Sequence, residues 1–536
     1  MPAPDSPDRF DATKPGAPHP RAEEGAKSPR GGIVLGRRML DSDGEFESRF
    51  YDSVDSTTDL NTEAYDAITE NAFQRTIDQP LSTFSVDVDT ASYANVRRFL
   101  NMGQLPPAGA VRIEELVNYF TYDDAPPTNA EPFAVHAETA GCPWNPAHRL
   151  VRFGLKGKVI ENQKRPLSNL VFLLDVSGSM NEPNKLPLVK ESLRLLTQQL
   201  GENDRVAIVV YAGASGLALP SISGNEQSAI GEALDRLAAG GSTNGGEGIA
   251  LAYRVAEEHK IPGGVNRVIL CTDGDFNVGV TNRSDLVQLV EQHAKAGVFL
   301  SVLGYGMGNL KDSTMEQLAD KGNGNYAYID TINEARKVLV EQMSGTLVTI
   351  AKDVKIQIEF NPRMVAGYRL LGYENRMLAA QDFKDDAKDA GEIGAGHSVT
   401  ALYELIPTGS DAGGVVAVDP LRYQQAAALT DAASSNEMLT LKLRYKQPDG
   451  QTSDEIRFTL KDTGLEFSQA SANLRFAASV AAFGMLLRSS QHKGEATLPA
   501  VAEWAATALG DDPHGYRQEF LELIRKAGTL QRVSMR

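Results

Sequence analysis

The 536-residue chain has few cysteines, no long apolar run and no excess of basic residues. Its two cysteines are Cys142 and Cys271, and the apolar run at 268–271 favours a free, buried thiol over a disulfide. No stretch reaches the roughly 20 apolar residues of a membrane-spanning helix. With 70 acidic against 53 basic residues and a net charge of −17, the composition argues against general nucleic-acid binding and against adsorption to anionic lipid.

Motifs of several enzyme classes are also missing. The eight histidines form no H-x-x-x-H pair, so a zinc enzyme is unsupported. Neither the nucleophile motif G-x-S-x-G nor the phosphate-binding motif G-x-x-x-x-G-K occurs. The chain has the composition of a globular protein, with 42% hydrophobic residues. Its length is sufficient for about three domains.

Four regions follow from the changes in pattern along the chain. Residues 1–60 are rich in proline, glycine and charge, which predicts a disordered linker or tether. Residues 61–165 mix helices and strands, including a capped helix that starts at 61 and ends at Pro80. Residues 166–347 alternate strands and helices, and residues 348–536 are first β-rich and then helical.

The alternating block predicts an α/β fold with a doubly wound, mostly parallel sheet. Its first strand, 169–174, is apolar at almost every position, as a central parallel strand requires. Strand-like segments lie on both sides of the block along the chain, and a helical segment follows them. This arrangement favours insertion of the block into a β-sandwich.

Oxygen-bearing side chains stand where three elements of this block end. Asp175, Ser177 and Ser179 follow the first strand, Thr243 lies in a glycine-rich loop, and Asp273 follows the strand at 268–272. Strand ends of a doubly wound sheet meet at one edge, where ligands bind. An all-oxygen set of this kind selects Mg²⁺, with Mn²⁺ or Ca²⁺ as substitutes.

The charges of this set predict binding rather than catalysis. Hydroxyl and water ligands are neutral, so two carboxylates only just balance the ion, and an open position would attract Asp or Glu from a protein partner. Two alternatives stay open. The acidic segment 382–392 would occupy the site from within the chain, or the site would serve a Mg²⁺-dependent phosphatase, for which no positioned nucleophile or base is evident.

These motifs, in this order and each at a strand end, resemble the von Willebrand factor type A (VWA) family. In that family the five residues form the metal-ion-dependent adhesion site, and the resemblance covers all five: Asp175, Ser177, Ser179, Thr243 and Asp273. It implies that the serine hydroxyls bind the metal directly, that Thr243 does so in one state, and that Asp273 acts mainly through water.

A second resemblance covers about residues 60–530. The segments 83–93, 96–100 and 114–120 are similar to the conserved N-terminal region of a bacterial family of VWA proteins, and 372–376 and 389–397 to its C-terminal domain. Members of this family commonly carry a secretion or lipoprotein signal. The resemblance implies an extracytoplasmic protein, with lipid anchoring through a signal segment. The N-terminus here shows no signal-peptide pattern, and a cytoplasmic location is the alternative.

Overall fold

The computed structural model describes residues 65–536, apart from several gaps. The gaps are residues 66, 87–88, 161–164, 214, 242–244, 275–282, 308–311, 343–344, 346–347, 387, 389, 411–427, 449 and 535–536. The tether predicted at 1–60 and the helix start predicted at 61–64 therefore lie outside the described residues.

Short strands and two helices precede the α/β block. They are β1 (Gln74–Arg75), β2 (Leu81–Ser85), α1 (Ala91–Asn101), α2 (Ile113–Asn118), β3 (Phe133–Gly141) and β4 (Arg149–Gly157). The helix predicted to end at Pro80 is wrong for the described residues before it. Gln74 and Arg75 pair instead with a distant strand, and the Asn71 amide donates to the backbone oxygens of Leu370 and Gly372. Pairing across the fold overrides a weak local helix preference.

In its described residues, the α/β block contains six strands and six α-helices. The strands are β5 (Ser168–Asp175), β6 (Arg205–Tyr211), β7 (Ser215–Ser223), β8 (Val265–Thr272), β9 (Phe299–Tyr305) and β10 (Tyr326–Ile329). The helices are α3 (Leu186–Thr197), α4 (Gln227–Arg236), α5 (Gly245–Glu258), α6 (Arg283–Lys295), α7 (Asp312–Lys321) and α8 (Ile332–Arg336). The strand order is β10-β9-β8-β5-β6-β7, and all strands are parallel except β7.

The central strand β5 is buried at every position, and its two faces serve different cores. Phe172 and Leu174 pack with residues of α3, whereas Val171 and Leu173 pack with residues of α5. Helices therefore cover both faces of the sheet, which confirms the predicted doubly wound fold.

The edge strand β7 is absent from the sequence prediction. It contains Gly216, Pro220 and three serines, a composition that weakens a strand pattern. It forms because β6 offers it a free antiparallel edge, and proline is tolerated on an edge strand.

Two antiparallel sheets contain the remaining strands. These strands are β11 (Thr349–Phe360), β12 (Val365–Leu371), β13 (Met377–Leu378), β14 (Ile393–Gly394), β15 (Ser398–Pro407), β16 (Glu437–Lys446) and β17 (Ser453–Lys461). One sheet has the order β1-β12-β15-β4-β3, and the other has the order β13-β2-β11-β16-β17, with β14 paired to β11. Side chains of both sheets share one core, in which Phe360 stacks on Tyr368 at 4.1 Å between ring centroids.

The α/β block is an insertion in this sandwich. The chain leaves the sandwich after β4, forms the block and returns to the sandwich at β11. The strands β4 and β11 lie in different sheets. Strands from before and after the block pair directly: β2 with β11, and β4 with β15. The insertion predicted from the flanking β segments is thus confirmed.

Three helices end the described chain: α9 (Ala472–Leu487), α10 (Leu498–Ala506) and α11 (Tyr516–Ser534). The helix predicted over 499–526 is broken at 507–515, which contains Gly510, Pro513 and Gly515. The three helices share a core with α1 and α2. None of the helices in the described ranges is both long enough and apolar enough to cross a membrane.

Candidate metal centre

Asp175 is the last residue of β5, and its side chain is completely buried. Its Oδ1 accepts the Ser177 backbone N–H at 2.8 Å, and its Oδ2 accepts the Tyr211 hydroxyl at 3.1 Å and the Thr272 hydroxyl at 3.4 Å. Tyr211 and Thr272 are the last residues of β6 and β8, the two strands that flank β5. Three adjacent strand ends therefore hold this carboxylate in one orientation.

Ser177 and Ser179 follow in a turn that leads into a short 3-10 segment. Their Oγ atoms lie 3.1 Å apart. Two adjacent ligands of an octahedral Mg²⁺ at about 2.0–2.1 Å from the ion are separated by roughly 2.8–3.0 Å. The serine pair therefore fits two neighbouring positions of such an ion. Ser177 is buried and Ser179 is partly exposed, so solvent reaches the pair on the side of Ser179.

The glycine-rich loop is joined to this turn by backbone hydrogen bonds. The Gly178 N–H donates to the Gly241 oxygen at 3.1 Å, and the Gly240 N–H donates to the Val176 oxygen at 2.8 Å. Gly241 has a φ of +86°, a conformation that favours glycine. Thr243 lies outside the described residues, so the loop is placed beside the serines up to Gly241 only.

Asp273 directly follows β8 and is completely buried. Its Oδ2 forms an ion pair with the ammonium of Lys185 at 3.0 Å, and the Lys185 side chain is only 4% exposed. Lys185 immediately precedes α3. The candidate site therefore contains a buried cation of the protein as well as two buried carboxylates.

Burial dominates the electrostatics of Asp175. Its pKa is raised to about 6, chiefly by burial and to a smaller extent by the charge of Asp273, while hydrogen bonds from Ser177 and Tyr211 act in the opposite direction. No group of three or more His, Cys, Asp or Glu residues with metal-binding geometry occurs within the described residues. The oxygen set that fits an ion here depends on hydroxyls, which suits a hard cation such as Mg²⁺.

The structure thus brings together four of the five residues singled out in the sequence: Asp175, Ser177 and Ser179 around one turn, and Asp273 at the end of the adjacent strand. Tyr211, Thr272 and Lys185 were not predicted from the sequence as residues of this site. Tyr211 had a usable signal, because a residue at the end of the strand paired with β5 lies opposite Asp175. No local sequence pattern indicated Lys185, because its contact with Asp273 joins residues that are 88 positions apart in the chain.

The acidic segment 382–392 lies elsewhere. Asp386 binds Arg444 and Ser453 of the sandwich, and Glu392 accepts from Thr349 at the start of β11. Burial lowers the pKa of the Arg267 guanidinium to about 10, and the charge of the nearby Glu392 opposes this shift. Arg267 is six residues before Asp273 along an extended strand, about 20 Å away. The hypothesis that this segment occupies the site is therefore wrong for its described residues; Asp389 lies outside them.

Both cysteines are free and buried, as predicted. Burial raises the pKa of each thiol well above its usual range. Neither is a reactive thiolate.

Comparison with known families covers most of the chain. The von Willebrand factor type A domain matches residues 169–342, a von Willebrand factor family matches 59–152, and the family described as "Uncharacterized protein YfbK, C-terminal" matches 345–530. The uncharacterized protein YfbK of Escherichia coli (strain K12) is 45% identical over 480 residues, which are 88% of this chain and 82% of the relative. The chain belongs to the YfbK family of bacterial VWA proteins.

More distant relatives either match only part of the chain or have low sequence identity to it. The uncharacterized protein sll0103 of Synechocystis is 28% identical over 40% of this chain and 50% of its own length. A solved von Willebrand factor type A protein from Catenulispora acidiphila covers 76% of this chain and 90% of its own, at 17% identity and a TM-score of 0.37. The assignment to the YfbK family rests on the family matches and on the Escherichia coli relative. Its VWA domain indicates a protein-interaction module.

Proposed function

We propose that this protein docks a protein partner by a metal-dependent contact, in which a carboxylate of the partner completes the coordination of Mg²⁺ at the end of β5. The observation that carries the proposal is the serine pair of the turn. The two Oγ atoms stand 3.1 Å apart beside a fixed, buried Asp175. Thr243 and Asp273 complete the proposed site, with Mn²⁺ or Ca²⁺ as substitutes for Mg²⁺.

The partner chemistry follows from the ligands. Serine hydroxyls bring no charge, and both oxygens of Asp175 already accept hydrogen bonds from the protein. An ion held mainly by neutral oxygens supplies, when bound, an electrophilic position that prefers an anionic oxygen. Gly178 and Gly241 are exposed beside the serines, so a side chain from a partner has access to this position.

A hydrolase is the less supported function. Asp175 could act as a nucleophile only if one of its oxygens were accessible, but the side chain is fully buried and both oxygens accept hydrogen bonds. Lys185, the lysine described at this site, is paired with Asp273 at 3.0 Å. Turnover of a generic phosphoester that depends on Asp175 would favour the hydrolase.

The proposal is tested in two steps, on metal and on partner. Isothermal titration with Mg²⁺ and with Mn²⁺ should show one site in the full chain, which Asp175→Ala abolishes and Ser179→Ala weakens at least about tenfold. Affinity capture of partners with and without EDTA should then show loss of the partner in EDTA and in both variants. Partner capture that persists undiminished in EDTA would refute the proposal.

A matched control is available in the same block. Asp235 is an exposed aspartate of α4 that pairs with Arg194, and its side chain is 70% exposed. Asp235→Ala removes the same charge as Asp175→Ala but should leave both metal binding and partner capture at the wild-type level. A loss in this control would show that the effect of Asp175→Ala is not specific to the site.

A further inference from the structure

A buried lysine contacts the candidate metal centre beside Asp273. Lys185 stands ten residues after Asp175 and reaches Asp273, where its Nζ lies 3.0 Å from Oδ2. The side chains are 4% and 0% exposed. This ion pair is therefore shielded from water, and its charges are little screened by salt.

The position of Lys185 is unfavourable for a positive charge in two respects. It occupies the N-cap of α3, where the helix dipole disfavours a positive charge and where Ser, Thr, Asp or Asn are preferred. Its ammonium is also removed from water, which destabilises the charged form unless a partner compensates. The contact with Asp273 is the interaction that offsets both effects.

The backbone of a neighbouring strand leaves room for this side chain. Gly306 follows β9 with a φ of +74°, and a Cβ atom there would clash with Cε and lie 2.5 Å from Cγ of Lys185. Only glycine fits both the conformation and the space. The Gly306 oxygen also accepts the hydroxyl of Tyr328, which holds this backbone in place. The aliphatic part of the Lys185 side chain thus packs closely against Gly306, and its ammonium reaches Asp273.

We propose that Lys185 is a fixed counter-cation that neutralises Asp273 and so leaves a divalent ion at this centre with residual positive charge. This inference rests on the proposed metal-dependent function. With two uncompensated carboxylates the ion would be fully neutralised. With Lys185 in place the protein contributes a net charge of only −1, because two carboxylates face one ammonium. Lys185 therefore weakens metal binding and strengthens the attraction for a partner's carboxylate.

The test removes the charge and keeps the hydrogen bond. Lys185→Gln retains a donor to Asp273, so it isolates the effect of the positive charge, and Lys185→Met removes both. In both variants Kd for Mn²⁺, measured by isothermal titration, should fall at least about tenfold, because the repulsion between ammonium and dication is lost. Acetate binding to the Mn²⁺-loaded protein, followed by water-proton relaxation, should weaken at least about threefold for the same reason.

Two controls accompany these variants. Lys190→Met removes a lysine of the same helix whose Nζ donates to the Leu237 oxygen at 2.7 Å, and it should leave both constants unchanged. Lys185→Arg keeps the charge and should keep the wild-type Kd for Mn²⁺ within about twofold. Because Met, Gln and Arg differ in their effect on folding, at least one pair remains informative if another variant is unstable.

The outcomes separate this inference from the proposed function. If the wild-type chain binds neither Mg²⁺ nor Mn²⁺, the proposed function fails. If the wild type binds Mn²⁺ but Lys185→Gln and Lys185→Met bind it with unchanged affinity, the counter-cation role is overturned while the metal site stands. Unchanged acetate binding alongside tighter Mn²⁺ binding would also overturn it, because residual charge would then not govern carboxylate capture.

Discussion

At the residue scale, several carboxylates are buried, and Glu114 is the clearest case outside the candidate metal centre. It lies in α2, is 4% exposed, and its Oε2 meets no hydrogen-bond donor among the described residues. Burial raises its pKa to about 7, with a further contribution from Glu374, while Arg488 opposes the shift. The folded state thus prefers the protonated form of Glu114.

This preference predicts a pH dependence of stability. The stabilisation from neutral Glu114 is complete below the ordinary pKa of about 4.5 and is lost as the pH rises through about 7. Glu114→Gln mimics the protonated form and should raise the free energy of unfolding at pH 8 by roughly 2–3 kcal/mol, with much less effect at pH 5. Urea unfolding at both values measures the difference.

A suitable control for Glu114 is Glu232, whose side chain is 73% exposed on α4. Glu232→Gln should change stability little at either pH. Equal effects of Glu114→Gln at pH 5 and pH 8 would contradict the prediction, because they would show that Glu114 has the same charge at both values.

At the scale of elements, the contact between α5 and the sheet decides how Asp175 is held. Gly248 of α5 lies against Tyr211, and an added Cβ would stand 2.8 Å from the Tyr211 Cβ and 3.3 Å from Leu173 Cδ1. Tyr211 in turn donates its hydroxyl to Asp175. The close approach of the helix and the orientation of the Asp175 carboxylate are therefore linked.

Gly248→Ala should destabilise the fold by about 1–3 kcal/mol through overpacking and should also weaken the proposed Mg²⁺ binding by displacing Tyr211. Gly231 provides the matched comparison, since it lies in α4 and a Cβ added there would meet no described atom within 4 Å. Gly231→Ala should be neutral or stabilise by about 0.4–1 kcal/mol. Thermal unfolding and Mg²⁺ titration of both variants test the link, and equal behaviour would exclude it.

At the scale of the whole molecule, ion pairs join the inserted block to the helices that precede and follow it. Arg97 of α1 donates to Asp330 and, at 2.7 Å, to Glu334 at the start of α8, and it reaches Glu519 of α11 at 3.1 Å. Arg97, Asp330 and Glu334 are each no more than 7% exposed. A buried network of this kind is costly to break on one side only.

Arg97→Ala should accordingly lower the free energy of unfolding by about 3–5 kcal/mol, since it leaves two buried carboxylates without their cation. Arg194→Ala, which breaks the exposed pair with Asp235, should cost about 0–1 kcal/mol. Urea unfolding of the full chain distinguishes them. Similar losses in both variants would mean that the Arg97 network contributes no more than a surface pair.

The sequence by itself determined the α/β class, the order of strands and helices around the central sheet, and the residues at the strand ends. These follow from local patterns: an apolar run for β5, amphipathic helices, and hydroxyl and carboxylate residues directly after apolar strands. The insertion into a sandwich could also be predicted, because β segments flank the block on both sides.

Only the tertiary structure decided features that join distant parts of the chain. The pairing of β2 with β11 and the formation of the edge strand β7 depend on contacts between strands. The same is true of β1, which forms where a helix before Pro80 was predicted and pairs with β12 far along the chain. At the candidate metal centre, Asp175 and Asp273 could be identified from local sequence patterns, but the position of the Lys185 ammonium beside Asp273 could not. Local periodicity specifies elements, whereas the charge balance of a buried site depends on which side chains the fold brings within a few ångströms.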